Sequence, residues 1–210
     1  MKKTLLLSFA FACALGASAQ ITKGTKLLGG NHTWYKTTIE TNNNTTDQKS
    51  YFLQPSFGIA VRDNVAFGVR GGYQSQDYGP GSGFQDHTYK GFTAGVFARR
   101  YAGLGSRFYV FGDGGLDFSR NKLRQTNTDF VRTAKTTGVT LGVSPGVTYA
   151  ATRRLHLEVM LANLLSFGFN QTDDESNSLG GRNFTRTQNF NASVNGSAFS
   201  QLNIGFRIVL

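Results

Sequence analysis

Three observations predict an all-β fold, an eight-stranded antiparallel up-and-down barrel that crosses a membrane. The first is strict alternation. In the closing stretch Ala198 to Leu210, Leu202, Ile204, Phe206, Ile208 and Leu210 are apolar, and Asn203, Gly205, Arg207 and Val209 fall between them. A strand sends successive side chains to opposite faces, so this segment has an oily face and a polar or small one. The second is the order of the connections, which read long, short, long, short, long, short, long. Transmembrane barrels of bacteria have short periplasmic turns and longer external loops. The third is the start of the chain. Lys2 and Lys3 precede an apolar run from Thr4 to Leu15, and Ala17-Ser18-Ala19 forms a small-residue cleavage site. This is the pattern of a cleaved secretory signal. The expected organisation is therefore a signal peptide over 1–19 and a barrel domain over 20–210.

The apolar run is too short to span a bilayer, which takes about 20 residues. A lipoprotein signal on Cys13 lacks the leucine expected three positions upstream. Cys13 is the only cysteine, so no disulfide staples the product. The chain holds 26 Gly and 18 Phe but 3 Pro and 1 Trp, with a formal charge of +10. Glycine with aromatics favours strands. A basic exported chain meets anionic lipid or glycan rather than nucleic acid. The mean hydropathy of −0.27 looks soluble, but alternating strands and polar loops average out in this way.

The first strand is expected from about Thr25 to Ile39, with Trp34 and Tyr35 suited to an interfacial aromatic belt. A polar tract, Glu40 to Lys49, follows as an exposed loop. In the second strand, Tyr51 to Val61, residues Tyr51, Leu53, Phe57, Ile59 and Val61 oppose Gln54, Ser56, Gly58 and Ala60. Arg62-Asp63-Asn64 is a tight turn into the third strand, Val65 to Gln74. There Val65, Phe67, Val69 and Tyr73 oppose Ala66, Gly68, Arg70, Gly72 and Gln74. Ser75 to Asp86 reads as a glycine-rich loop. The fourth strand, about His87 to Tyr101, has Phe92, Ala94, Val96 and Ala98 as its outer set, with Phe97 on the other parity.

After a turn at Ala102 to Ser106, the fifth strand sets Phe108, Val110, Leu116 and Phe118 against Tyr109, Phe111, Asp113, Asp117 and Ser119. Arg120 to Lys135 reads as a long basic loop. In the sixth strand Val139, Leu141, Val143, Val147 and Tyr149 oppose Thr140, Gly142, Ser144, Gly146 and Thr148. Ala151 to Arg154 is the third short turn. The seventh strand, Leu155 to Asn170, carries Leu155, Leu157, Val159, Leu161, Leu165, Phe167 and Phe169 opposite His156, Glu158, Met160, Ser166 and Asn170. Gln171 to Gly196 reads as the longest polar loop. Pro55 and Pro145 each remove a ladder donor, so bulges are expected at both.

A soluble barrel also alternates, but with its charges outside. Here the charges share a parity with Gly, Ser and Thr, while the opposite parity is Val, Leu, Ile, Phe and Tyr. An Arg or Lys at the lipid midplane costs roughly 2–4 kcal/mol, so the charged face points inward. An eight-stranded interior is just wide enough for side chains to fill. Opposite charges there must pair, because an isolated buried charge is costly. The sequence thus predicts a lumen ion network drawn from Arg70, Asp113, Asp117, Glu158 and Arg207. It acts either as structural filling or as part of a gated polar pathway.

The ending Asn203, Gly205, Ile208 and Leu210 resembles the C-terminal signal that outer-membrane barrels present to their assembly machinery, where the last two bulky positions are usually aromatic. The hairpin Pro55-Ser56-Phe57-Gly58, Arg62-Asp63-Asn64, Val65-Ala66-Phe67-Gly68 resembles the small OmpA/OmpW-like, porin-like barrels of the Bacteroidetes. The resemblance implies a Gram-negative outer-membrane location and contact with lipopolysaccharide and the barrel assembly machinery. No nucleic acid and no cofactor are expected, and the expected state is a monomer.

No catalytic motif stands out: H-E-x-x-H and P-loop patterns are absent from the sequence. His32 and His87 lie toward the external rim with Ser75 and Ser82, but no spacing ties them into a base and nucleophile. His156 falls near a periplasmic turn. Asp173-Asp174-Glu175 is either a calcium ligand set or a solvated acidic loop. Arg120, Lys122, Arg124, Arg132 and Lys135 either grip lipopolysaccharide phosphates or form an exposed solvated loop. The leading expectation is a structural or surface-interaction barrel and no enzyme. A narrow porin-like channel is the alternative, and a lipid A-modifying enzyme a third.

Overall fold

In the computed structural model the described residues are 21–41, 44–79, 86–127, 130–178, 181–194 and 202–210. The expected signal segment, residues 1–19, and Ser82 lie outside them. Ten strands form one antiparallel sheet. They are β1 (Lys26–Thr41), β2 (Asn44–Arg62), β3 (Val65–Tyr78), β4 (Asp86–Gly103) and β5 (Phe108–Asn127). β6 (Phe130–Ala150), β7 (Leu155–Leu161), β8 (Leu165–Ser178), β9 (Gly181–Val194) and β10 (Leu202–Val209) complete it. Each of β1 to β6 pairs with its sequence neighbour, β6 with β7, β7 with β10, and β10 with β1. That ring is a closed eight-stranded barrel. β8 continues the wall position of β7 after a break, pairing with β6 on one side and β9 on the other. Among the described residues, β1 beyond His32 is registered only with β2, and β9 only with β8.

The closure follows from the last strand. Leu27 lies opposite Val209 and His32 opposite Ile204. Lys26 and Leu210 exchange backbone hydrogen bonds at 3.1 and 2.9 Å. Both edges of β10 are thereby satisfied, which removes the free edge that an open sheet presents.

The short turns sit where expected. Asn64 takes a left-handed conformation (φ 61°) between β2 and β3, a region that Asn tolerates. The stretches read as external loops differ from expectation. Arg120 to Lys135 is strand up to Asn127 and again from Phe130, so its basic residues stand on a tall hairpin. Glu40–Lys49 and Gln171–Gly196 are likewise largely strand. Outside the membrane neither face of a strand has to be apolar. The apolar alternation therefore disappears while the backbone ladder continues.

The proline expectation also changes. Opposite Pro55 the β2–β3 ladder drops pairs without changing register, and the register shift falls between Ala60 and Arg62. Pro145 stays in register with Gly112. The irregularity is on its other side, where the partner strand breaks between Leu161 and Leu165. The Asn163 N–H leaves the ladder there and donates to Ser144 Oγ at 2.8 Å.

The wall is oily outside. Phe67, Val69, Phe92, Val96, Leu116, Phe118, Leu141, Phe167, Ile204 and Phe206 are all exposed, Phe92 at 64% and Ile204 at 66%. On β5 the outward set runs from Phe108 to Phe118. At about 3.3 Å per residue and a tilt near 40° that stretch rises about 25 Å, the height of a membrane barrel's apolar band. Trp34, Tyr51, Tyr73 and Phe92 mark its upper boundary. Ring centroids are 6.5 Å apart for Tyr51–Tyr73 and 5.1 Å for Tyr73–Phe92.

Candidate functional site: a filled lumen under basic hairpins

The inward parity of β3, β4, β5, β7 and β10 brings six charges together. Arg70 Nε and Nη2 donate to the two oxygens of Asp117 at 2.8 and 2.6 Å, and Nη1 donates to Asp113 at 2.9 Å. Arg99 Nε donates to the other oxygen of Asp113 at 2.9 Å, and its Nη1 to Glu158 at 2.8 Å. Arg207 Nε and Nη2 close the series on Glu158 at 2.8 and 3.0 Å. The result is one unbroken chain: Asp117, Arg70, Asp113, Arg99, Glu158, Arg207. Three cations face three anions, so the network is formally neutral. Asp113, Glu158 and Arg207 are 1–2% exposed, and bidentate arginine contacts satisfy most of their hydrogen-bonding capacity.

Arg99, the central cation, did not emerge from the sequence. It follows Phe97 on β4, and Arg100 takes the outward parity next to it. Both parities of that strand carry an arginine and a phenylalanine, which hides the inward set. The guanidinium of Arg99 lies 4.2 Å over the Phe111 ring, a cation–π contact that adds to its two ion pairs.

Two further layers fill the barrel. Below the charges, Ile21, Leu27, Ala60, Ala66, Tyr101, Tyr109, Phe111, Ala150 and Met160 form an apolar cluster at the end carrying the short turns. Ile21 is 1% exposed, and its carbonyl accepts the Asn64 N–H at 2.9 Å. Above the charges lies a polar layer. There Gln74 Nε2 donates to Asn121 Oδ1 at 2.9 Å.

The inward glycines leave room that neighbours occupy. Phe97 lies over Gly58 and Gly68, Thr93 over Gly72, Asn163 over Gly142, and the Arg70 guanidinium over Gly115. Between Arg70, Phe97, Arg99, Asp113, Met160 and Arg207 the remaining cavity is about 10 Å³, about the room one water needs. A methyl added at Gly68 would stand 2.6 Å from the Phe97 ring. Gly68→Ala is therefore expected to destabilise the barrel by about 1–3 kcal/mol through overpacking. A lowered midpoint of urea unfolding in micelles would register it.

Other candidates separate. His32 faces the outer wall with its ring edge-on to Tyr51 at 5.2 Å, and His87 stacks on Tyr78 at 4.4 Å. His156 is buried face to face with Tyr109 at 6.2 Å. Its Nδ1 meets no protein partner among the described residues. The acidic triplet is taken up by arginines rather than gathered: Arg186 holds Asp173 at 2.6 Å, Arg132 holds Asp174, and Arg182 holds Glu175. The Arg186 hydrogen bond keeps the exposed Asp173 carboxyl below its ordinary range. Of the basic residues singled out, Arg132 faces Asp174 across the inner side, Nε to Oδ2 at 2.8 Å. Arg120, Lys122, Arg124 and Lys135 are exposed on the outer parity. Asn203 and Gly205 face the lumen, where Asn203 Oδ1 accepts the Thr33 hydroxyl at 3.5 Å. Ile208 lies on the opposite parity, and Leu210 ends the chain exposed.

No family description and no curated protein matches this chain. Among solved structures it is similar to Neisserial surface protein A, at 15% identity and a TM-score of 0.42, covering 89% of this chain and 97% of that one. It is also similar to a major outer membrane protein from Thermus thermophilus, at 11% identity and a TM-score of 0.49, covering 89% and 98%. A third likeness is to the ferric yersiniabactin uptake receptor FyuA from Yersinia pestis, at 13% identity and a TM-score of 0.44. It covers 81% of this chain but 31% of that receptor. The strand pairing and the inside-out polarity stand without these likenesses. The chain is a closed, antiparallel eight-stranded β-barrel with an oily exterior and a charged interior, the architecture of outer-membrane barrels.

Proposed function

We propose that this protein is a monomeric outer-membrane barrel with a filled, non-conducting lumen, and that its tall hairpins form an external interaction surface. The filled lumen carries this reading. A pore requires a continuous water path. Here an apolar layer, a neutral ion chain and a polar hydrogen-bonded layer succeed one another, leaving about 10 Å³ among the charged residues. Paired charges fill space and offer no vacant site to a passing ion. The size of the hairpins supports surface interaction: β5 and β6 continue well past the end of the apolar band.

Under this reading the short turns and both termini face the periplasm. Asn203, Gly205, Ile208 and Leu210 serve as the assembly signal. In the folded barrel β10 is paired on both edges, so only the unclosed strand would offer an edge to the assembly machinery.

The refolded mature protein is expected to remain electrically silent in a planar bilayer. Reproducible openings in the unmodified protein would replace this reading with the porin-like channel.

A further inference from the structure

We propose that the outer wall of β4, β5 and β6 holds a phosphate-bearing glycolipid of the outer leaflet, through a cross of five cations just above the apolar band. This rests on the outer-membrane reading above. The register sets the cross. Lys90 on β4 lies opposite Lys122 on β5, and Lys122 lies opposite Lys135 on β6. All three are exposed on the outer parity. Directly opposite residues have Cβ atoms about 5 Å apart, and like charges so placed repel. Arg120 and Arg124 extend the column on β5 below and above Lys122, also outward and exposed. None of the five has a salt-bridge partner among the described residues. Of the acids on the hairpins, Asp47 is held by Lys36 at 3.0 Å, Asp173 by Arg186, Asp174 by Arg132 and Glu175 by Arg182. Where Lys135 lies opposite Asp173 on β8, that carboxylate is already engaged by Arg186.

The position names the occupant. Arg120 lies opposite Phe92 on β4, and Phe118 is two residues below it on the same face. The cations thus begin where the acyl-facing band stops, at headgroup depth. A lipid seated against Phe92, Phe118 and Val139 would carry its headgroup to the cross. A phosphate ester supplies nearly two negative charges and three acceptor oxygens. It would turn the repelling row of lysines into a set of charge-assisted contacts.

The test uses the refolded mature chain in neutral detergent micelles, with lipid A carrying two phosphates or the same lipid A with both removed. Bound lipid is counted by native mass spectrometry and the unfolding midpoint is followed. The unmodified protein is expected to retain the phosphorylated form at least tenfold better, and K90Q/K122Q/K135Q to lose that preference while still folding. K122Q alone separates the cross from simple structural support. It should raise the midpoint in lipid-free micelles, where it relieves repulsion, and shrink the gain on adding phosphorylated lipid A. Equal retention of both lipids overturns the proposal. So does an equal loss of preference in K26Q/R62Q/R154Q, which removes exposed cations at the opposite rim. A protein that never inserts into vesicles would instead refute the membrane reading, and insertion is scored separately for every variant.

Discussion

Glu158→Gln is expected to be the most damaging single exchange in the lumen. Glu158 is the sole link between Arg99 and Arg207, accepting from Arg99 at 2.8 Å and from Arg207 at 2.8 and 3.0 Å. All three side chains lie almost wholly out of solvent. Neutralising the carboxylate leaves Arg207 without a counter-charge and Arg99 with only its share of Asp113. Removing one partner of a buried pair costs about 3–5 kcal/mol, because the stranded charge remains desolvated. Urea unfolding in micelles, followed by gel mobility and circular dichroism, would show a correspondingly lower midpoint. The double replacement E158L/R207M should recover much of that loss, since it removes one charge of each sign, leaves Arg70 and Arg99 facing Asp113 and Asp117, and puts apolar groups where desolvation costs nothing. A Glu158→Gln barrel within about 1 kcal/mol of the parent would mean the ion chain is wet and behaves like surface pairs.

Val143→Arg is the second large effect, and its size discriminates between environments. Val143 is exposed at 45% on β6, between Val139 near the upper boundary and Tyr149 near the lower. In water an arginine there would be almost neutral to stability. At the lipid midplane it is expected to cost about 2–4 kcal/mol. Thr137→Arg, on the same face one repeat above Val139, should cost about 0–1 kcal/mol, because the penalty falls toward the interface. Refolding yield and unfolding free energy in phosphatidylcholine vesicles would measure both. Equal costs at the two depths would contradict the membrane orientation.

The two predictions draw on different parts of the sequence. The outward set was legible because period-two alternation is local: Phe57, Ile59, Val61, then Phe67 and Val69, then Leu116 and Phe118 each declare a face without reference to any neighbour. The pairing of the last strand with the first was legible for a related reason, since an alternating strand in lipid must have both of its edges paired. The upper hairpins were not. Glu40 to Lys49 and Arg120 to Lys135 carry polar residues on both parities, so no apolar period survives to mark the strand.

The lumen was legible only in outline. Arg70, Asp113, Asp117, Glu158 and Arg207 stand out as charges on the small-residue parity of well-patterned strands. Arg99 does not, because β4 carries large and charged residues on both parities. Nor does any local pattern say what fills the space beside the inward glycines at 58, 68, 72 and 142. In the structure Phe97 and Thr93 from β4 and Asn163 from the break between β7 and β8 occupy it. The lysine row was equally hidden, since Lys90, Lys122 and Lys135 are distant in sequence and meet only through two ladders.

By itself, then, the sequence determined which side chains face lipid and which face inward, because that depends on the pleat of each strand alone. Which inward groups touch was decided by the tertiary structure. Barrel closure and strand register place Arg99 between Asp113 and Glu158, and no local pattern encodes a distance across the lumen.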